Sequence, residues 1–259
     1  MELIRSRRNP LLQKVRQLLE RPRERQAAGL AVLEGEHLLD DWRAAGLPVE
    51  GVLLAASRAQ ELGSWVGAGT TPPPAVHLVD DDCLAAISPA GAGPGLLAVV
   101  PVPEAHPAVG GSILALDAVQ DPGNVGTAIR CAAACAFDQV WLGGGCADAW
   151  SWKALRAGQG GHARLDICQG LDLVTALAAH RGRVIALAPR DGVPLHRVDL
   201  RGEVVLLVGG EGAGIGEAAL NGADQRVSIP MPGATESLNV AVAAAIAMYE
   251  RVRQSLASD

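Results

Sequence analysis

Residues 228–246, SIPMPGATESLNVAVAAAI, decide how the C-terminal half of this 259-residue chain is read. Ile229, Pro230 and Met231 close an apolar run, and Pro232-Gly233 forces a turn. Glu236, Ser237 and Asn239 then stand just before and inside the first turn of a long Ala-rich helix. Ser237 is placed to cap that helix, because its side-chain oxygen accepts from an orphan backbone N–H. A helix start with exposed amides also suits a polar ligand. On its own the segment describes a well-capped terminal helix. The segments around it add the chemistry.

Working upstream, strands are expected at 112–118, 139–142, 164–167, 183–188, 203–208 and 226–229, and helices at 124–136, 151–158, 171–180, 215–220 and 238–254. The run Val204-Val205-Leu206-Leu207-Val208 is apolar throughout, which suits a sheet covered on both faces. Strand–helix alternation predicts a mainly parallel, doubly wound α/β sheet that binds ligands at the carboxyl ends of its strands.

Two further loops follow predicted strands. In DAVQDPGNVGTAIR, residues 117–130, Asp121-Pro122-Gly123 makes a turn and Asn124 is placed to cap the next helix, with Arg130 two turns on. In VGGEGAGIG, residues 208–216, glycines let backbone approach a ligand closely. This loop fits neither G-x-G-x-x-G nor G-K-[ST], so a dinucleotide fingerprint and a P-loop are unsupported, and with them a dinucleotide-dependent oxidoreductase. Glu211 in its middle repels phosphate and suits a cationic or hydroxyl-bearing ligand.

The first hundred residues read as a small α/β unit. Leu11, Leu12, Val15, Leu18 and Leu19 recur at helical spacing. A second helix is expected from His37 to Ala45, with strands at 31–33, 52–54, 76–78 and 96–100 and a mobile loop at 70–74. Residues 101–111, PVPEAHPAVGG, read as a linker between domains at 1–100 and 112–259.

The net charge of −6 argues against a uniformly basic nucleic-acid coat. Residues 1–25 nevertheless hold eight basic side chains against three acidic ones, with Arg5, Arg7, Arg8 and Arg16 among them. Such an arm is either an anion-binding surface or a solvated helix face. Hydrophobic residues make up 49% of the chain, enough for a sizeable core. No apolar run is long enough for a membrane span, and no apolar stretch follows the basic start as in a signal peptide. Five scattered cysteines without a C-x-x-C pair read as reduced thiols in the cytosol, with no metal site.

In order and spacing, DPGNVGTAIR, LLVGGEGAGI and SIPMPGATESLNVAVAAAI closely resemble the three motifs of the SpoU (TrmH-like) family of RNA 2′-O-methyltransferases, within the SPOUT superfamily. KALRAGQGGHARLDI, between the first two, also looks like that family, and the resemblance covers about 113–254. Residues 5–45 more loosely resemble the substrate-binding extension of its ribosomal-RNA members, a fold like ribosomal protein L30e. The resemblance implies an α/β C-terminal domain closed by a deep trefoil knot, joined to a small L30e-like RNA-binding α/β domain. It implies S-adenosylmethionine held by knot backbone at Gly209, Ile229 and Leu238, with Gly210 and Met231 beside them. It implies a homodimer with the active site at the interface, and Arg130, Asn124, Glu211, Ser237 and Asn239 as catalytic residues. The RNA would meet Arg5, Arg7, Arg8 and Arg16, without metal or membrane. Two departures stand out: Ala241 where many members have Ser, and Gly158-Gln159-Gly160 in place of an Ala-Ser-Ala-Gly-like run. The implied reaction is methylation of ribose 2′-hydroxyls, with 23S ribosomal RNA ahead of transfer RNA as substrate. A knotted RNA-binding protein without activity is the remaining alternative.

Overall fold

The computed structural model describes residues 3–61, 74–89, 91, 93, 95–188, 192–212, 214–233 and 237–257. Of the expected mobile loop at 70–74 only Pro74 is among them, and Glu236 lies outside them. The chain forms two compact units. The first is Met1–Pro103 with Trp150–Ala163; the second is Glu104–Ala149 with Arg164–Asp259.

The first unit is built on a five-stranded mixed sheet of order β1-β4-β3-β5-β2. Its strands are β1 (Leu3–Ile4), β2 (Leu30–Glu34), β3 (Gly51–Ala55), β4 (Ala75–Val79) and β5 (Leu96–Pro101). Strand β3 runs parallel to β4 and antiparallel to β5. Helix α1 (Pro10–Glu20) starts where the Asn9 side chain accepts from the Leu11 N–H, with Pro10 at its first position. It stops because Pro22 drives Arg21 into extended backbone. Its Leu12, Val15, Leu18 and Leu19 pack into a core with Val32, Leu53, Leu97 and Val99. Helix α2 (Pro22–Ala28) follows, and its buried Arg25 donates to the Leu18 and Leu19 carbonyls at the end of α1. Helices α3 (Glu36–Ala44) and α4 (Asp81–Ala85) also belong to this part.

Helix α6 (Trp152–Gly158) corrects the expected domain limits. It was assigned by sequence to the region 112–259, yet it packs on β2 of the first unit. Apolar burial explains this. Ala154 and Leu155 are buried, and the Trp150 ring meets Trp42 edge-on at 6.2 Å and His162 at 5.3 Å.

The second unit holds a seven-stranded sheet of order β10-β12-β9-β11-β6-β7-β8, and every pairing in it is parallel. Its strands are β6 (Ser112–Asp117), β7 (Gln139–Gly143), β8 (Asp166–Leu171), β9 (Arg183–Leu187), β10 (Val193–Pro194), β11 (Val204–Gly209) and β12 (Gln225–Ser228). Helices α7 (Leu173–Ala179) and α8 (Glu217–Asn221) share a core with Ile113, Trp141, Val205 and Leu207. Helix α9 (Val240–Leu256) packs on β11 and on α5 (Pro122–Ala134). The apolar strand runs of the sequence are thus buried at the centre of the sheet: Val204 to Val208 are each at most 3% exposed.

The expected linker 101–111 divides differently. Pro101 ends β5, and from Glu104 the chain belongs to the second unit. The buried Gln139 side chain accepts from the Ala108 N–H and donates to the His106 carbonyl, both at 3.0 Å. Satisfying this buried amide ties the proline-rich segment to β7. All five cysteines are free thiols. No helix among the described residues is long and apolar enough to cross a membrane.

Candidate active site at the carboxyl ends of the parallel strands

The loops after β6, β11 and β12 emerge at one edge, because these strands run parallel. After β6 the chain turns at Ala118, whose φ of 52° is unusual for a residue with a Cβ. The half-buried Cys146 thiol supports this turn by donating to the Leu116 carbonyl and accepting from the Val119 N–H. Asp121 then caps α5: its Oδ1 accepts from the Asn124 N–H at 2.9 Å, and Pro122 takes the first helical position. Asn124 is therefore inside the first turn, and the sequence expectation that it caps the helix is corrected. Its carboxamide is left to make tertiary bonds.

A second cap also moves. Asn239, not Ser237, caps α9, and its Oδ1 accepts from the N–H groups of Ala241 and Val242 at 3.0 and 3.3 Å. The helix starts at Val240, so Ser237 stands too far upstream to reach its first free amides. Capping fixes the orientation of the Asn239 carboxamide, with oxygen toward the helix and nitrogen outward. That nitrogen donates to Asn124 Oδ1 at 2.9 Å and to Glu211 Oε1 at 3.1 Å. Asn124 Nδ2 closes the figure with Glu211 Oε1 at 3.0 Å. One residue from each loop thus meets in a single polar triangle.

Beside this triangle lies a cavity of about 560 Å³. Gly209, Gly210, Ile229, Met231 and Leu238 all line it, and so do Glu211 and Ser237. Its wall depends on missing side chains. A Cβ on Gly209 would lie 2.1 Å from the Gly214 carbonyl carbon, and one on Gly210 would lie 2.2 Å from the Ala118 oxygen. The loop folds back through a Gly214 N–H to Gly210 carbonyl bond of 3.1 Å.

Arg130 joins neither the triangle nor the cavity lining. It is exposed on α5, about a third of a turn round the helix from Asn124. Its neighbours Thr127 and Cys131 line a separate groove of about 620 Å³ with Val242, Ile246 and Tyr249 of α9. Tyr249 is 65% exposed and Val242 47%, leaving an uncovered apolar face. Arg5, Arg7 and Arg8 are exposed in the first unit, between β1 and α1. Arg16 is also exposed but makes an i,i+4 pair with Glu20 at 3.5 Å.

Sequence reasoning missed Asp117. Its Oδ2 accepts from the Gly216 N–H at 2.7 Å, and its carbonyl accepts from the Gly210 N–H at 2.8 Å. Both ends of the glycine loop are thereby fastened to β6. A lone carboxylate closing an apolar strand was the available signal.

The SpoU rRNA Methylase family model matches residues 111–249. The 23S rRNA (guanosine(2553)-2′-O)-methyltransferase RlmP of Bacillus subtilis is 34% identical over 89% of this chain and 92% of its own. The AdoMet-bound rRNA methyltransferase from Sinorhizobium meliloti superposes with a TM-score of 0.85 at 25% identity, covering 97% of both chains. The SpoU methyltransferase AviRb from Streptomyces viridochromogenes, in complex with AdoMet, gives a TM-score of 0.81 at 27% identity, covering 96% of this chain and 99% of its own. Motif order, the loops' shared edge and these likenesses agree: the chain belongs to the SpoU rRNA methylase family.

Proposed function

We propose that this protein transfers a methyl group from S-adenosylmethionine to a ribose 2′-hydroxyl of RNA, with 23S ribosomal RNA as substrate. The observation that carries this is the Asn124–Glu211–Asn239 triangle beside a glycine-walled, largely apolar cavity. The cavity suits the cofactor. Apolar side chains such as Ile229 and Leu238 offer an adenine surface, and Gly209 and Gly210 keep the wall as bare backbone. When bound, the cofactor supplies a methyl group on a positively charged sulfur.

Gly209, Ile229 and Leu238 would hold it mainly through backbone groups, with Gly210 and Met231 closing the wall. A guanidinium is a poor general base, so Arg130 would act through its charge and its planar fork of donors. It would grip the phosphate beside the target ribose and favour the developing alkoxide. The hydroxyl proton would pass to that phosphate or to water. Glu211 spends Oε1 on the two carboxamides, which leaves Oε2 to orient a ribose hydroxyl. Ser237, at the cavity rim, would add a hydrogen bond to the substrate.

This reading includes a trefoil knot, supported by β12 lying between the earlier strands β9 and β10. It includes an L30e-like fold for the first unit and RNA contacts at Arg5, Arg7, Arg8 and Arg16. It also includes a homodimer, supported by the uncovered face of Val242, Ile246 and Tyr249 beside Arg130. Docking a second copy there would bring Arg130 to the partner's cavity. The place of action is the cytoplasm, where ribosomal RNA resides and five thiols stay reduced.

The test is transfer of labelled methyl from S-adenosylmethionine to purified ribosomal and transfer RNA, with 2′-O-methyl sites mapped. Label at one ribose of 23S RNA is expected. Label confined to transfer RNA overturns the substrate, and no transfer to either, with RNA still bound, favours a non-catalytic binding protein.

A further inference from the structure

We propose that the first unit carries a nucleotide subsite in the cavity between α6, the end of β2 and the start of α3, where one unstacked RNA base lies on Trp152. The proposal rests on RNA being the substrate. The cavity measures about 320 Å³, at the lower end of the ~300–1,000 Å³ typical of small-ligand sites. Trp152 and Arg156 line it from successive turns of α6. Gln159, Glu34, Glu36 and His37 line it as well. Trp152 is half-buried and packs on the core that includes Leu12 and Val32, so the ring is held in place before any ligand arrives. Lys153 stands 5.6 Å from the centre of that ring.

The charges favour a nucleotide. Glu36 pairs with Arg58, and Glu34 accepts from the Ser88 hydroxyl, so both carboxylates are already engaged. Lys153 and Arg156 are exposed and have no ion pair among the described residues. An aromatic ring beside two cations without ion pairs among the described residues, in a chain of net charge −6, combines stacking with phosphate attraction, the pairing used to hold single-stranded nucleic acid. Gln159 sits in left-handed backbone with φ of 43°, and its amide donates to the Arg156 carbonyl at 2.8 Å. This bond closes the end of α6 around the cavity.

The probe is single-stranded RNA of about twelve nucleotides, bound to the full-length protein over a range of salt concentrations. Trp152→Leu should weaken binding by about tenfold with an unchanged salt slope, and Trp152→Phe should restore most of it. Arg156→Ala should weaken binding and lower the salt slope by about 1. S-adenosylmethionine affinity should stay as in wild type for all three. Photocrosslinking of thiouridine-bearing RNA to wild type should label the peptide containing Trp152, which keeps the test valid if Trp152→Leu fails to fold. The subsite is overturned if wild type binds RNA while Arg156→Ala binds it equally and no crosslink reaches α6. If wild type binds no RNA at all, the substrate reading itself fails.

Discussion

The two sheets of this molecule use strand direction differently. In the seven-stranded sheet every pairing is parallel, so the loops after β6, β11 and β12 leave by the same edge and their polar residues meet. In the five-stranded sheet β3 and β2 each run antiparallel to β5, so loops leave by both edges, and among the described residues no comparable convergence of three loops forms. Convergence suits chemistry, which needs several groups at one point. A mixed sheet with exposed basic side chains suits a broad surface for a polymer. The expected consequence is that catalysis and RNA grip separate by unit.

The largest effect tests that separation. Arg130→Ala should lower methyl transfer by at least about a hundredfold while S-adenosylmethionine affinity, read by calorimetry, stays near wild type. Arg130→Lys should recover little, because an ammonium lacks the planar fork. Arg7→Ala in the first unit should do the reverse, lowering the salt slope of RNA binding by about 1 and sparing turnover at saturating RNA. Equal losses of turnover from both changes would break the division.

Next in size, S-adenosylmethionine at a hundred times its dissociation constant should add about 2.7 kcal/mol of stability in a melting experiment, and NAD nothing. No rise at millimolar cofactor would remove the cavity's assigned role. Asn239→Ala should cost roughly 1 kcal/mol for the lost cap and also loosen Asn124 and Glu211. Asn239→Ser should restore most of the cap but not the triangle. Stability returning without activity would separate the two duties of this side chain.

The smallest effect concerns acid. The Arg253 guanidinium, hydrogen-bonded to Glu250, holds that carboxyl down at about 2, against an ordinary value of 4.5. A depressed carboxylate stabilises the fold above its unfolded pKa and loses that stabilisation as pH falls toward 2. Stability should therefore fall between pH 4.5 and 2 by about 1 kcal/mol, after allowance for solvent screening. Glu250→Gln should flatten that part of the denaturation curve, and an unchanged acid limb would remove the pair from the account.

Much of this was legible in sequence. The apolar run 204–208 announced a covered parallel strand, and the resemblance to the SpoU motifs pointed to Gly209, Gly210, Ile229, Met231 and Leu238, which line one cavity. The helix caps were not legible. Asp121 and Asn124, like Ser237 and Asn239, are alternative caps of equal chemical fitness, and only the helix start chooses between them. The allegiance of α6 was hidden as well. Strand–helix alternation has the same period whether a helix covers its own sheet or the other one, and Trp150 and Leu155 carry no mark of which.

Strand β12, second in its sheet because it lies between two strands made earlier, has a kinetic consequence. It needs β9 and β10 on either side before it has a place, and Asn239 follows it by eleven residues. Contacts this distant along the chain form late, since closing long loops costs entropy before pairing repays it. During synthesis the polar triangle is therefore completed only after β12 has been placed. A nascent chain that has not yet released α9 already holds Asn124 and Glu211, which bond directly, but lacks the Asn239 that completes the triangle.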